Sequence, residues 1–286
     1  MVEDTWTVRE ALNWTRDYLR KGGIPAARFE AETLLAHAME VERLQLYLQP
    51  DRILTSTERK RFRQLIERRR AGTPLQHLLG SVDFYNCRLQ VNGHVLIPRP
   101  ETEELVERVL ADHQGRPLGH LLDLGTGSGA IAIALALARP DLQITASDCS
   151  VAALELARQN AMQNGVADRI TFRCSDWFAE LPGVFDAIVT NPPYVGSSEW
   201  AELALEVRAH EPVVALAGGT DGLAAIRRIV HEAPAHLRRD SHLYLEIGAG
   251  QAAAVQQLLE MRGAFTEVVI SKDLAGHPRF VRARRT

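Results

Sequence analysis

Leu121-Leu122-Asp123-Leu124-Gly125-Thr126-Gly127-Ser128-Gly129, followed by the apolar run Ala130 to Ala138, reads as a short buried strand that turns through a glycine loop into a helix. Glycines there let a ligand approach the backbone, and the first helical turn presents unpaired N–H groups. The helix stops before Pro140, and a second strand, Gln143 to Ser147, ends at Asp148. Ser150 then caps a helix to Gln163, which Gly165 terminates. Strand-like runs follow at Ile170 to Cys174, Phe185 to Thr190 and His242 to Ile247, and a helix from about Gln251 to Met261. Thr266 to Ser271 and Arg279 to Ala283 then finish the sheet as an antiparallel pair. Strands alternating with helices predict an α/β fold whose mostly parallel sheet is wound on both faces.

The strand Phe185 to Thr190 runs directly into Asn191-Pro192-Pro193-Tyr194, outside the carboxyl end of the sheet, where open α/β folds keep their ligands. Neither proline has an N–H, and each fixes its own φ and pushes the preceding residue toward extended geometry. The result is a stiff corner rich in acceptors. It suits a planar NH2 whose lone pair is conjugated, as in a carboxamide or an amino-base. The Asn191 side-chain carbonyl and the Pro192 main-chain carbonyl can accept its two N–H bonds and leave the nitrogen facing an electrophile. Tyr194 offers an aromatic face to the amide and to a nearby cation. An ordinary Pro-rich turn is the bland alternative, which the position after a strand and downstream of a glycine loop disfavours.

The glycine loop by itself is ambiguous. Gly125-x-Gly127-x-x-Ala130 also fits a dinucleotide fingerprint, with Asp148 as its acidic ribose ligand, so an NAD enzyme competes. The constellation favours S-adenosylmethionine: Asp123 and the Gly125-Thr126-Gly127-Ser128-Gly129 loop, Asp148 for ribose hydroxyls, Asp176-Trp177 for adenine, and Asn191 after the fourth strand.

Upstream, Thr7-Val8-Arg9-Glu10 has capping-box spacing and opens a helix that ends at Gly22-Gly23. A second helix spans about Pro25 to Met39, with Phe29, Leu34, Leu35 and Ala38 as its core face. Thr55-Ser56-Thr57-Glu58 opens a third, Arg-rich segment to Arg70, either a docking surface for an acidic protein or RNA or a solvated face relieved by Glu58 and Glu67. Alternating runs from Leu75 to Leu96 with Asn92-Gly93 as a turn signal predict a β-hairpin connector. The expected organisation is a helical domain at 1–74, the hairpin at 75–96 and the ligand-binding domain at 97–286.

At 286 residues and 46% hydrophobic content the chain can bury a large core. Its net charge of −3 gives no global attraction to nucleic acid or anionic membrane. Cys87, Cys149 and Cys174 form no CxxC pair, which argues against a disulfide framework or structural zinc, and His231 and His236 lack ligand spacing, so no metal is expected. Met1-Val2-Glu3-Asp4 shows no leader pattern, and Ala130 to Ala138 is too short to span a bilayer, so a cytoplasmic protein is expected.

Leu96-Ile97-Pro98-Arg99-Pro100-Glu101-Thr102-Glu103, Asp123 to Ala130, Ser175 to Phe178, Asn191 to Tyr194, Val207 to Pro212, Ala217 to Leu223, Leu245 to Gly248 and Asp273 to Arg279 together resemble the release factor glutamine methyltransferases of bacteria and organelles. That resemblance implies a Rossmann-like class I methyltransferase sheet of seven strands, the last antiparallel, behind a small N-terminal helical domain that recognises the substrate. It implies methyl transfer from S-adenosylmethionine, yielding S-adenosylhomocysteine, to the side-chain nitrogen of the glutamine in the Gly-Gly-Gln loop of class I peptide chain release factors. Asn191, Pro192 and Tyr194 are then the expected catalytic residues, and Asn191, Pro192, Pro193 and Tyr194 the expected substrate contacts. A monomer without stable nucleic-acid binding is expected. The Asn-Pro-Pro-Tyr motif is shared with DNA adenine N6 and RNA guanine N2 methyltransferases, the alternative reading; the roles of Arg99, Thr102 and Glu103 are not legible from sequence.

Overall fold

The computed structural model describes residues 5–115 and 118–286; Met1-Val2-Glu3-Asp4, and with it the leader reading, lies outside the described residues. Two compact units divide the chain. One holds the residues through Gly80 together with Leu205–His210, the other Ser81–Ala204 with Glu211–Thr286.

The first unit is helical: α1 (Val8–Lys21), α2 (Ala27–Met39), α3 (Arg43–Leu48), α4 (Ser56–Arg70) and α5 (Leu75–Leu79). Capping boxes start α1 and α4, where Thr7 and Thr55 accept the N–H of Glu10 and Glu58 and those carboxylates bond back to the cap N–H. The core is built from Leu19, Leu34, Leu35, Leu46, Phe62 and Ile66. Phe29 does not join it. The buried stripe of α2 is Ala27, Ala31, Leu34, Leu35 and Ala38, and a residue two positions from Ala31 faces away; Phe29 is 48% exposed under the Arg43 guanidinium.

The Arg-rich segment of α4 is laced with ion pairs. Arg69 turns inward, bonding the Glu30 carboxylate through Nε and Nη2 at 2.5 and 3.1 Å and Glu206 through Nη1 at 2.7 Å. Arg61 and Arg63 pair with Glu40 and Glu67. Of the relief expected from Glu58 and Glu67, only the Glu67 pair with Arg63 falls within the run; Glu58 pairs with Arg52 before it, and each exposed pair contributes at most about 1 kcal/mol.

The second unit opens with the hairpin β1 (Ser81–Phe84) and β2 (Cys87–Gln90). Its turn is Tyr85-Asn86, closed by the Phe84↔Cys87 pair, with Tyr85 in the left-handed region at φ 51°. Asn92-Gly93 is not that turn; it lies beyond β2, where the Asn92 side chain accepts the His94 N–H. Then come α6 (Pro100–Asp112), β3 (His120–Leu124), α7 (Ala130–Ala138), β4 (Gln143–Asp148), α8 (Val151–Gln163), β5 (Ile170–Cys174) and β6 (Phe185–Thr190). After α9 (Leu205–His210), which clusters with the first unit, follow α10 (Ala224–His236), β7 (Leu237–Glu246), α11 (Ala252–Arg262), β8 (Phe265–Lys272) and β9 (Pro278–Arg285). Helix α10, unforeseen from sequence, runs straight into β7, which starts five residues earlier than expected.

The seven strands are ordered β5-β4-β3-β6-β7-β9-β8, and β9, last in sequence, runs antiparallel to both its neighbours. Successive strand residues serve opposite faces: Leu121, Ile144 and Val189 pack under α6 and α7, Leu122, Ile188 and Leu243 under α10 and α11. Helix α7 is apolar all round because it is enclosed all round, with Ala132 to Ala136 fully buried. Strand β3 has β4 on one side and β6 on the other, so the strand order reverses there and leaves a crevice outside the carboxyl ends.

Asn160 of α8, fully buried, joins the hairpin to the glycine loop: its Nδ2 donates to Gln90 O (3.1 Å) and Ser128 O (2.9 Å), and its Oδ1 accepts the Gln90 N–H (2.7 Å). Asn160→Ala orphans these buried groups and is expected to cost about 1–3 kcal/mol. Calorimetry of the full chain should then show a melting temperature lower by roughly 3–10 °C.

Candidate active site

A cleft of about 460 Å³ opens at this crevice. Gly125, Thr126, Gly127 and Ser128 line it after β3, Asp148 after β4, Asp176 and Trp177 after β5, and Asn191 and Pro193 after β6. The structure thus brings most of the expected residues to one place. Asp123, Gly129, Pro192 and Tyr194 are not among the lining residues.

Asp123 lies beneath the loop, fully buried. Its Oδ2 accepts the Thr126 hydroxyl (2.6 Å) and the Ala132 N–H (3.1 Å), so it ties loop to helix. Burial pushes its pKa up to about 7, against the pull of those two bonds. Gly129 has φ 85°, and a Cβ there would meet Ile133 and Ala157 at 3.0 and 3.2 Å, so its role is close packing at the start of α7. The Gly125 and Thr126 N–H groups both bond Ser147 O at 2.8 Å. Asp148 holds the loop from the other side, accepting Gly127 N–H through Oδ2 and Ser150 N–H through Oδ1, each at 2.9 Å.

Trp177 sits in the left-handed region at φ 53°, its ring close to Gly125 and packed on the apolar cluster under α10. The Ser175 hydroxyl secures that turn, donating to Trp177 O and accepting Glu180 N–H. Asp176 is ion-paired with Arg228 of α10 at 2.7 Å, which also bonds its carbonyl.

At the end of β6 the buried Thr190 hydroxyl donates to Leu124 O (2.6 Å), joining the two strand ends. Asn191 Nδ2 donates to Thr102 Oγ1 (3.0 Å), and that hydroxyl donates to Glu246 Oε2 (2.7 Å). Glu246 is almost wholly buried, which pushes its pKa up to about 7. Pro192 is buried behind the corner. Tyr194 faces Arg279, 6.0 Å from its ring centroid, and burial raises its phenol to about 12. Gln251 clamps the corner, donating to Tyr194 O (2.9 Å) and Gly222 O (3.1 Å) while accepting Gly248 N–H. Arg99 meets the buried Glu211 at 2.5 Å, and Glu211 also accepts the Ile97 N–H.

Thr102, Glu246, Glu211, Gln251 and Gly222 are the residues sequence reasoning left without a role. All lie in or beside recognisable blocks, yet apart from the local Gly248–Gln251 bond their partners are 29 to 144 residues away in the chain. Among the described residues no His, Cys, Asp or Glu cluster could hold a metal, and no helix is long and apolar enough to cross a membrane.

Residues 10–80 match the PrmC N-terminal domain and residues 102–209 the Methyltransferase small domain. A release factor glutamine methyltransferase of Rhodopirellula baltica is 40% identical over 282 residues, covering 96% of this chain and 95% of that one. This chain belongs to the release factor glutamine methyltransferase family. The family member of Cereibacter sphaeroides is 43% identical over 275 residues, covering 96% and 97%. Among solved structures, the human Mettl16 catalytic domain aligns with TM-score 0.56 at 18% identity over 71% of this chain and 76% of that one. A methyltransferase of Pyrococcus furiosus aligns with TM-score 0.53 at 17% identity over 70% and 89%. These two likenesses bear on the fold, the expected Rossmann-like class I methyltransferase sheet.

Two outcomes follow from this geometry. A Cβ on Gly222, at φ 75°, would strike Tyr194 O at 2.3 Å and Gln251 Nε2 at 2.5 Å. Gly222→Ala should therefore move the corner and lower methyl-transfer kcat by at least about tenfold. The second concerns Asp123, whose folded pKa of about 7 lies above its unfolded value of about 4. Its contribution is complete below the unfolded value and is lost as pH rises through the folded one, because the native state holds the proton longer. Asp123→Asn should thus gain melting temperature relative to the parent as pH is raised from about 4 to 8, read by thermal denaturation across pH.

Proposed function

We propose that this chain methylates the side-chain amide nitrogen of the glutamine in the Gly-Gly-Gln loop of class I peptide chain release factors, with S-adenosylmethionine as donor. The observation that carries the reading is the pinned Asn191 amide. With Nδ2 held inward on Thr102, the carbonyl end is the one left to accept, at the mouth of a glycine-loop cleft in a chain of this family.

The cleft fits the donor. Ser147 lines it and its buried Oγ has no partner among the described residues, Asp148 stands at the end of β4 for ribose hydroxyls, and Trp177 and Asp176, steadied by Arg228, stand where adenine is expected. When bound, S-adenosylmethionine supplies an electrophilic methyl on a sulfonium and leaves as S-adenosylhomocysteine. The chain's own work is positioning. Asn191 Oδ1 and Pro192 O accept the two hydrogens of the glutamine NH2, which aims the nitrogen lone pair and steadies positive charge developing on those hydrogens. Pro193 shapes the wall, and Tyr194 backs the corner with Arg279 behind it. One of the held protons departs to solvent after transfer.

Residues 1–74 would recognise the release factor, with the 75–96 segment leading into the catalytic unit at 97–286. The enzyme would act in the cytoplasm as a monomer and without stable nucleic-acid binding. Tritiated methyl transfer to purified release factor, compared with DNA and ribosomal RNA, tests the reading: label on a nucleic acid alone overturns it. Asn191→Ala should lose at least about 10²-fold in rate. Binding of S-adenosylhomocysteine, read by calorimetry, should survive in that variant.

A further inference from the structure

We infer that Glu246 is a positioning residue that decides which end of the Asn191 amide faces the substrate, acting through the hydroxyl of Thr102. The inference rests on the function proposed above and adds a residue to it.

A hydroxyl has one hydrogen to give. Thr102 Oγ1 is buried between Glu246 Oε2 at 2.7 Å and Asn191 Nδ2 at 3.0 Å. A carboxylate can only accept, so an ionised Glu246 takes that hydrogen. The hydroxyl then has only lone pairs left for Asn191, which must turn its NH2 inward and its carbonyl outward. A neutral Glu246 can instead donate to Thr102. The hydroxyl hydrogen is then free for the Asn191 carbonyl, and the amide can turn its NH2 toward the cleft. An NH2 there meets the NH2 of the substrate, donor against donor, and cannot hold it. The charge on Glu246 is thereby converted into the polarity of the corner two hydrogen bonds away.

The carboxyl lies where such a change falls within a measurable range. Burial raises its pKa to about 7; Thr102, Arg279 on β9 and Arg99 before α6 pull it down, and Glu101 pushes it up. Arg279 is itself shared with Asp273, Arg99 with Glu211, and the Tyr194 phenol also feels Glu246. Glu246 belongs to β7, opposite Phe280 of β9, so it is held in a sheet and not in a loop.

Steady-state methyl transfer to full-length release factor, measured from about pH 5.5 to 9, tests this with Glu246→Gln, Thr102→Val and Thr102→Ser. Glutamine is isosteric but can offer Thr102 either an acceptor or a donor. The parent should lose kcat on the acid side with one ionisation near the Glu246 value. Glu246→Gln and Thr102→Val should lose about 10- to 100-fold in kcat, with KM and S-adenosylhomocysteine affinity changed by less than about threefold. Glu246→Gln should also lose the acid limb. Thr102→Ser, which keeps the hydroxyl, should recover most of what Thr102→Val loses. Retained S-adenosylhomocysteine binding certifies that each variant is folded. An acid limb that persists in Glu246→Gln, or a loss that appears in KM or cofactor affinity instead, overturns the inference. If Asn191→Ala is impaired while Glu246→Gln behaves as the parent, the methylation reading stands and only the role of Glu246 falls. If Asn191→Ala is itself unimpaired, the fault lies in the reading of the corner.

Discussion

The reversal of strand order at β3 is the constraint on which the rest of the molecule depends. Because β3 is flanked by β4 and β6, its carboxyl end lies beside the ends of two strands whose following segments turn apart. Backbone carbonyls at these ends have no further ladder to join and accept from loop N–H groups or a side-chain hydroxyl. Ser147 O takes two N–H groups of the glycine loop, and Leu124 O takes the Thr190 hydroxyl. The loop that would hold a donor and the corner that would hold an acceptor are thus fixed by the edge of one sheet.

Around that edge the protein buries an unusual set of polar groups. Asp123, Glu211 and Glu246 are all nearly or wholly enclosed, as are Thr102 and Asn160. All but Asp123, whose partners are Thr126 and Ala132, are held by groups from distant segments, so their desolvation cost is offset only when those segments are in place. Burial raises the pKa of both Asp123 and Glu246 to about 7. Burial of this kind costs stability. The helical unit follows a different pattern, with exposed arginines such as Arg61 and Arg63 paired with carboxylates and Arg69 as the buried anchor.

Much of the architecture could be read without coordinates because it rests on local rules. Thr7 and Thr55 with their glutamates mark helix starts, the apolar run Ala130 to Ala138 marks an enclosed helix, and the strand that ends at Asn191 marks a corner. The errors were local too. Phe29 was one helical face away from the core, and the hairpin turned at Tyr85-Asn86, where a left-handed tyrosine does what the Asn92-Gly93 pair advertises. Helix α10 was missed although its buried positions keep a helical period.

Sequence alone determined the α/β alternation, the glycine loop, the stiff acceptor corner and the family blocks, since each is a property of residues adjacent in the chain. Only the tertiary structure decided that Asp123 supports the loop from below, that Asp176 is tied to Arg228, and that Asn191 is joined to Glu246 through the Thr102 hydroxyl. Apart from the Thr126 hydroxyl three residues on from Asp123, those facts depend on contacts between residues 9 to 144 positions apart. A hydrogen bond over such a separation leaves no local pattern, because its geometry is set by how the strands stack and not by the spacing of the residues that make it.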